Sequence, residues 1–143
     1  MSSNVAAGVR LSWREFSSHG GKRGPHADGW GIAYYEGADA RVIREPSPAA
    51  HSACVHFLAD NDLQSELVIS HIRRASQGGK MLANTQPFAR ELHGRLHVFA
   101  HNGDLALVQR HAQSDSCAGC DQPIGQTDSE LAFCILLGRL THL

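Results

Sequence analysis

Three short polar clusters stand where apolar runs of the chain stop. They are His71-Ile72-Arg73-Arg74-Ala75-Ser76, His101-Asn102-Gly103 and Thr127-Asp128-Ser129-Glu130. An Arg guanidinium grips a carboxylate through two parallel hydrogen bonds. An Asp carboxylate pairs with an ammonium group. An Asn amide next to a Gly backbone N–H can hold the oxyanion that develops during acyl transfer. Together these groups describe a pocket for a free α-amino acid whose side-chain carbonyl is attacked, and a γ-amide such as glutamine fits. Each cluster also has a plainer reading. Arg73 and Arg74 could be a solvated strand end. Asp128 could only support a helix N-terminus, and Asn102-Gly103 could be a hairpin turn. Their occurrence together, in this order, favours a site.

The elements that must position these clusters can be read from periodicity. The opening residues are indistinct, and residues 17–29, rich in Gly and polar side chains, read as a loop. Residues 30–45 read as a β-hairpin around Glu36-Gly37-Ala38-Asp39. Residues 47–60 read as a helix with Ser47 at the N-cap and Pro48 at the first helical position. Residues 66–74 form an apolar strand ending in charge, and residues 88–103 a second hairpin turning near His93-Gly94. Residues 112–126 read as a loop. Thr127, with Glu130 three residues on, signals a capping box at the start of an apolar helix. Strand pairs followed by single helices imply an α+β layered domain, one whose sheet lacks a closing half.

Composition excludes several classes. The chain has 143 residues, 42% hydrophobic and 19% charged, which suits one globular domain. A formal net charge of −1 with scattered basic residues gives no reason to expect nucleic acid or a membrane surface as a partner. No apolar run spans a bilayer and no secretory signal is visible, so a cytoplasmic protein is expected. Four cysteines, Cys54, Cys117, Cys120 and Cys134, do not make a disulfide framework. Cys117-Ala-Gly-Cys120 is half of a zinc or redox motif with no second half. Cys54 and Cys134 read as small core hydrophobes. Ten histidines give no metal-ligand spacing, and neither metal nor cofactor is expected.

The ordered runs "GPHADGWGIAYYEG", "SHIRRAS", "NTQPF", "FAHNG" and "TDSE" resemble the class II glutamine amidotransferases, above all the small stand-alone members, over nearly the whole chain. The resemblance implies a four-layer αββα sandwich of the N-terminal-nucleophile hydrolase type. It implies that Arg73 binds the substrate carboxylate, Asp128 its amino group, and that Asn102 and Gly103 form the oxyanion hole. Ser76 and the Asn84–Phe88 loop, Gln86 included, would line the glutamine pocket, with Asp28-Gly29-Trp30-Gly31 as support. The implied reaction is hydrolysis of glutamine, or of a γ-glutamyl amide, through a cysteinyl thioester. An acceptor or synthase protein would be the partner for ammonia transfer.

The sequence departs from that pattern in three places. The family nucleophile is an N-terminal cysteine on a short opening strand, and "MSSNVAAG" resembles the segment just after such a strand. None of the four cysteines can take its place, and Ser2 is in the wrong register. Gln86 stands where the family has His, which keeps hydrogen bonding but not titration. Family members also continue beyond Leu143. The expectation is a partial glutamine amidotransferase domain over 1–143, lacking its opening strand and its C-terminal part. The alternatives are a catalytically inactive glutamine-binding pseudoenzyme and a non-functional fragment.

Overall fold

Strand β2 (Trp30–Glu36) organises the molecule through one alternating stretch. Successive strand side chains point to opposite faces. Trp30, Ile32 and Tyr34 enter one buried core, while Gly31 and Tyr35 meet the segment from Gln86 to Val98 on the other side. The computed structural model describes residues 1–8, 10–61, 63–110 and 122–141.

β2 pairs antiparallel with β3 (Asp39–Glu45) across a turn where Gly37 takes φ 65°. Its other edge pairs with β4 (Gln64–Ile72), and β4 pairs with β1 (Ser2–Gly8), giving the order β1-β4-β2-β3. Met1 and Val68 exchange both backbone hydrogen bonds, at 2.8 and 2.9 Å. Among the described residues, no strand covers that edge of β4 beyond Val68. β5 (Phe88–Leu92) and β6 (Arg95–Phe99) form a separate two-stranded sheet, turned at His93 and Gly94 with φ 53° and 74°. Both hairpins lie where the sequence predicts them, and the mixed helices and antiparallel sheets are α+β.

Helices α1 (Arg10–Ser18) and α2 (Ala53–Asp60) pack on the four-stranded sheet. Trp13 meets Trp30 edge-on at 5.6 Å between ring centroids, and Val55, Leu58 and Ala59 fill the same core with Val68. Helix α3 (Asp128–Leu140) lays Phe133 and Leu137 on Phe88, with Phe133 and Phe99 stacked at 5.2 Å. The Tyr35 hydroxyl ties the two sheets, donating to the Leu96 carbonyl at 3.0 Å and accepting from the Val98 N–H at 3.1 Å.

Three local expectations are corrected. The opening residues form β1 and α1. The helix read from Ser47 starts instead at Ala53. Pro48 leads only into a 3₁₀ turn (Ala49–His51), and the Ser52 hydroxyl caps α2 by accepting from the Val55 N–H at 3.1 Å. The capping box at Thr127 is half made. Thr127 accepts from the Glu130 N–H at 3.2 Å, but the Glu130 carboxylate turns to other partners. Residues 122–126 carry no helix or strand, and the rest of the loop expected over 112–126 falls outside the described residues together with Cys117 and Cys120.

Candidate active site

The exposed edge of β4 runs into a cavity of about 590 Å³. Arg73, Ser76, Gln86, Asn102, Gly103 and Asp128 all line it, so these six residues named from the sequence meet on one cavity. The segment following β4 supplies Arg73 and Ser76, the turn before β5 supplies Gln86, the segment following β6 supplies Asn102 and Gly103, and the start of α3 supplies Asp128. Ends of rigid elements are where a scaffold can hold binding groups without mobility in their backbone.

Arg73 is 4% exposed. Its backbone is pinned by the Asp28 N–H, which donates to the Arg73 carbonyl at 3.1 Å, and by its own N–H donating to the Gly29 carbonyl at 2.8 Å. Its terminal nitrogens donate to the carbonyls of Gln77 at 2.7 Å, Gly78 and Gly79 at 3.2 Å and Asp28 at 3.4 Å. Burial lowers the Arg73 pKa and the Asp28 charge opposes this. The Asp28 pKa is held below its usual range, first by the hydrogen bond from Lys80 (2.6 Å) and then by the Ala75 N–H (2.8 Å).

Asp128, 7% exposed, accepts from the Leu105 N–H at 2.6 Å and from the Ser129 N–H at 2.7 Å. Gly103 adopts φ 122°, a conformation that disfavours any side chain there and leaves its N–H beside Asn102. Asn102 is exposed, and its amide has no hydrogen-bond partner among the described residues. The Ser76 hydroxyl donates to Asp104 across the cavity rim at 2.7 Å.

Gln86 acts differently from a residue that only faces a ligand. It is 6% exposed, and its Oε1 accepts the His101 backbone N–H at 2.6 Å, holding the residue just before Asn102. Gly31 makes room for this turn. A Cβ there would overlap the Gln86 carbonyl and lie 2.8 Å from Pro87 Cδ. Of the rest of the 84–88 loop, Asn84, Thr85 and Phe88 are fully buried and do not line the cavity. Asn84 binds two loops, donating to the Gly79 carbonyl at 3.0 Å and accepting from the Gln126 N–H at 2.7 Å.

Sequence reasoning gave no role to His71, His101 or Ser129, although each sits inside a named cluster. All three line the cavity. His71 has a buried Nδ1 without a partner, and its pKa falls to about 4, first by burial and then by the Arg73 charge. Neither Cys54 nor Cys134 reaches the cavity. Cys54 packs against the α1–α2 core, where burial raises its thiol pKa, and Cys134 is buried in α3. Among the described residues no group of three or more His, Cys, Asp or Glu side chains could hold a metal ion. No helix among them is long and apolar enough to cross a membrane.

An α+β domain that gathers an Arg, an Asp and an Asn-Gly pair on one cavity matches a known family. Residues 1–143 match the class II glutamine amidotransferases, and the chain belongs to that family. It is 42% identical over 142 residues to YafJ of Escherichia coli (strain K12), covering 99% of this chain and 54% of that protein. It is 31% identical over 101 residues to the gamma-glutamyl-hercynylcysteine sulfoxide hydrolase of Mycobacterium tuberculosis, covering 69% of this chain and 41% of that one. A crystal structure of a predicted glutamine amidotransferase from Pseudomonas aeruginosa PA01 superposes with a TM-score of 0.57 at 42% identity, covering 87% of this chain and 47% of its own. The chain thus spans about half the length of the relatives it matches.

Proposed function

We propose that the cavity is the amide-hydrolysing site of a class II glutaminase or amidotransferase, taking glutamine or a γ-glutamyl amide by its α-carboxylate and α-ammonium. The observation that supports this is the meeting of Arg73, Asp128, Asn102 and Gly103 on one cavity, although distant stretches contribute them. A substrate carboxylate would draw Arg73 donors from the neutral carbonyls they now hold, because charge-assisted bonds are about twice as strong. Asp128 would hold the ammonium, and Asn102 with the Gly103 N–H the oxyanion, while Ser76 and Gln86 shape the wall. The helix α3, the two sheets and the α1–α2 pair would be the layers of an αββα sandwich. A cytoplasmic location and an acceptor or synthase partner belong to the same reading.

The nucleophile in this reading is a cysteine outside the 143 residues. Arg73 lies five residues beyond Val68, the partner of Met1. A strand continuing β1 backward in that register would follow the open β4 edge along the cavity, its fifth residue before Met1 opposite Arg73. A cysteine there, with its own α-amine as base, would attack the γ-carbonyl and expel ammonia or an amine. Water would then release glutamate from the thioester. The second reading, glutamine binding without catalysis, is favoured by one observation. No cysteine among the described residues lines the cavity.

Calorimetry with glutamine, alongside an ammonia-release assay and the intact mass of the native protein, separates these readings. Ammonia release that disappears on Cys→Ala at a preceding N-terminal cysteine supports hydrolysis. Binding without release supports the sensor. Absence of binding sinks both.

A further inference from the structure

His101, the residue before the Asn102-Gly103 pair, is held from several sides. Its N–H donates to Gln86 Oε1 at 2.6 Å, and its ring stacks on Phe99 with planes 10° apart. Its Nδ1 lies 3.3 Å from the Ser129 hydroxyl. A serine hydroxyl has one proton to donate. The Ser129 hydroxyl directs it at Asp128 Oδ1, also at 3.3 Å, and an ionised carboxylate can only accept. Towards His101, Ser129 is therefore the acceptor. A neutral imidazole donating to this acceptor has its proton on Nδ1, which leaves a bare lone pair on Nε2. The Cε1–Nε2 edge faces Gly103, where a Cβ would lie 3.6 and 3.8 Å from those two atoms.

We propose that Asp128, Ser129 and His101 form one hydrogen-bonded chain that fixes the Nδ1–H tautomer of His101, and that the bare Nε2 selects a γ-amide over a γ-carboxylate. Its second half rests on the substrate reading given above. An uncleaved amide presents an N–H that Nε2 accepts. The γ-carboxylate of glutamate presents only lone pairs, and two acceptors facing each other in a partly desolvated site repel. Ser129 is then a positioning residue acting through His101, and His101 determines specificity at the scissile nitrogen. The chain also joins the group that would hold the substrate ammonium to the residue that leads into the oxyanion pair.

The test is the ¹⁵N imidazole spectrum of the full chain at pH 8 without ligand, followed by calorimetry with L-glutamine and L-glutamate. The expected spectrum shows His101 protonated at Nδ1 and unprotonated at Nε2. Ser129→Ala should raise the Nε2–H fraction and lower the glutamine-to-glutamate affinity ratio about tenfold, the worth of one hydrogen bond. Ser129→Thr, which keeps the hydroxyl, should restore both. A wild-type Nε2–H tautomer overturns the proposal, as does an unchanged ratio in Ser129→Ala. If Ser129→Ala does not fold, the wild-type tautomer and Ser129→Thr decide. A correct tautomer in a chain that binds neither ligand overturns the substrate reading and the selectivity, while supporting the hydrogen-bonded chain.

Discussion

Glu130 and Arg90 meet at 2.6 Å, with the Glu130 side chain 2% exposed and that of Arg90 18%. The same carboxylate accepts the Gly125 N–H at 2.7 Å and the Ile124 N–H at 3.2 Å, so it joins β5 to the loop that leads into Asp128. Removing one partner of a buried pair leaves a charge and two N–H groups uncompensated. Glu130→Ala should therefore cost about 3–5 kcal/mol in urea unfolding. Glu130→Gln combined with Arg90→Met should be more stable than Glu130→Gln alone, because it removes the stranded charge and keeps an acceptor. A Glu130→Ala midpoint equal to wild type would show that the pair contributes nothing.

Two glycines test how tightly the site is built. A methyl at Gly31 would overlap the Gln86 carbonyl and approach Pro87 Cδ to 2.8 Å and Arg44 Cγ to 2.9 Å. Gly31→Ala should destabilise by about 1–3 kcal/mol or more through overpacking. It should also weaken glutamine binding, since Gln86 holds His101. At Gly37 nothing lies within 4 Å, and only φ 65° opposes a side chain. Gly37→Ala should cost about 1–2 kcal/mol and leave binding unchanged. Equal binding losses in the two variants would break the proposed link from Gly31 to the oxyanion loop.

The His71 pKa is lowered to about 4 from 6.5, chiefly by burial, with Arg73, His26 and His101 adding to it and a backbone hydrogen bond at His101 opposing. The folded state holds this imidazole neutral, so below pH 6.5 the unfolded chain binds more protons than the native one. Stability from this group is full above pH 6.5, falls as pH drops from 6.5 towards 4, and is flat below. The span is of order 3 kcal/mol. Asp28 has its pKa lowered below 3.8 and acts in the more acidic window, its contribution being lost as pH falls through its folded value. Urea melts at pH 4.5 and 7 should differ strongly for wild type and little for His71→Asn. A parallel pH slope in the variant would remove His71 from the account.

The parts of this structure that were legible in the sequence are those fixed by local chemistry. Gly37 and His93-Gly94 announce their hairpins because positive φ suits few residues. Thr127 announces α3 because its hydroxyl meets the Glu130 N–H within one turn. The opening was not legible. Ser2–Gly8 has no strong strand pattern, and its strand exists through pairing with β4, a partner far along the chain. For the same reason Ser47-Pro48 looked like a helix start, whereas the hydroxyl that reaches a free N–H is that of Ser52. The cavity residues were legible as clusters, but their hydrogen bonds were not. Nothing local to Gln86 says that its oxygen belongs to His101, or that Arg73 would face the carbonyls of Gln77 to Gly79.

Arg73 and Asp128 carry the clearest functional prediction, because substitutions there change charge or fork geometry with little change in size. Asp128→Asn keeps an oxygen for the Leu105 N–H but loses the charge that would hold an ammonium. Arg73→Lys keeps the charge but cannot present two parallel donors to a carboxylate. A hydrogen bond to a charged group contributes about 1.5–3 kcal/mol, so each variant should lower glutamine affinity roughly 10- to 150-fold. Ligands lacking one anchor separate the roles. The deaminated analogue of glutamine should lose less affinity than glutamine in Asp128→Asn, about tenfold through the released Ser129 and His101 contact, while remaining sensitive to Arg73→Lys. Arg73→Lys also strips donors from the 77–79 loop, so its stability must be measured beside its affinity. If the analogue discriminates between wild type and Asp128→Asn as strongly as glutamine does, Asp128 supports the helix start and not the ammonium.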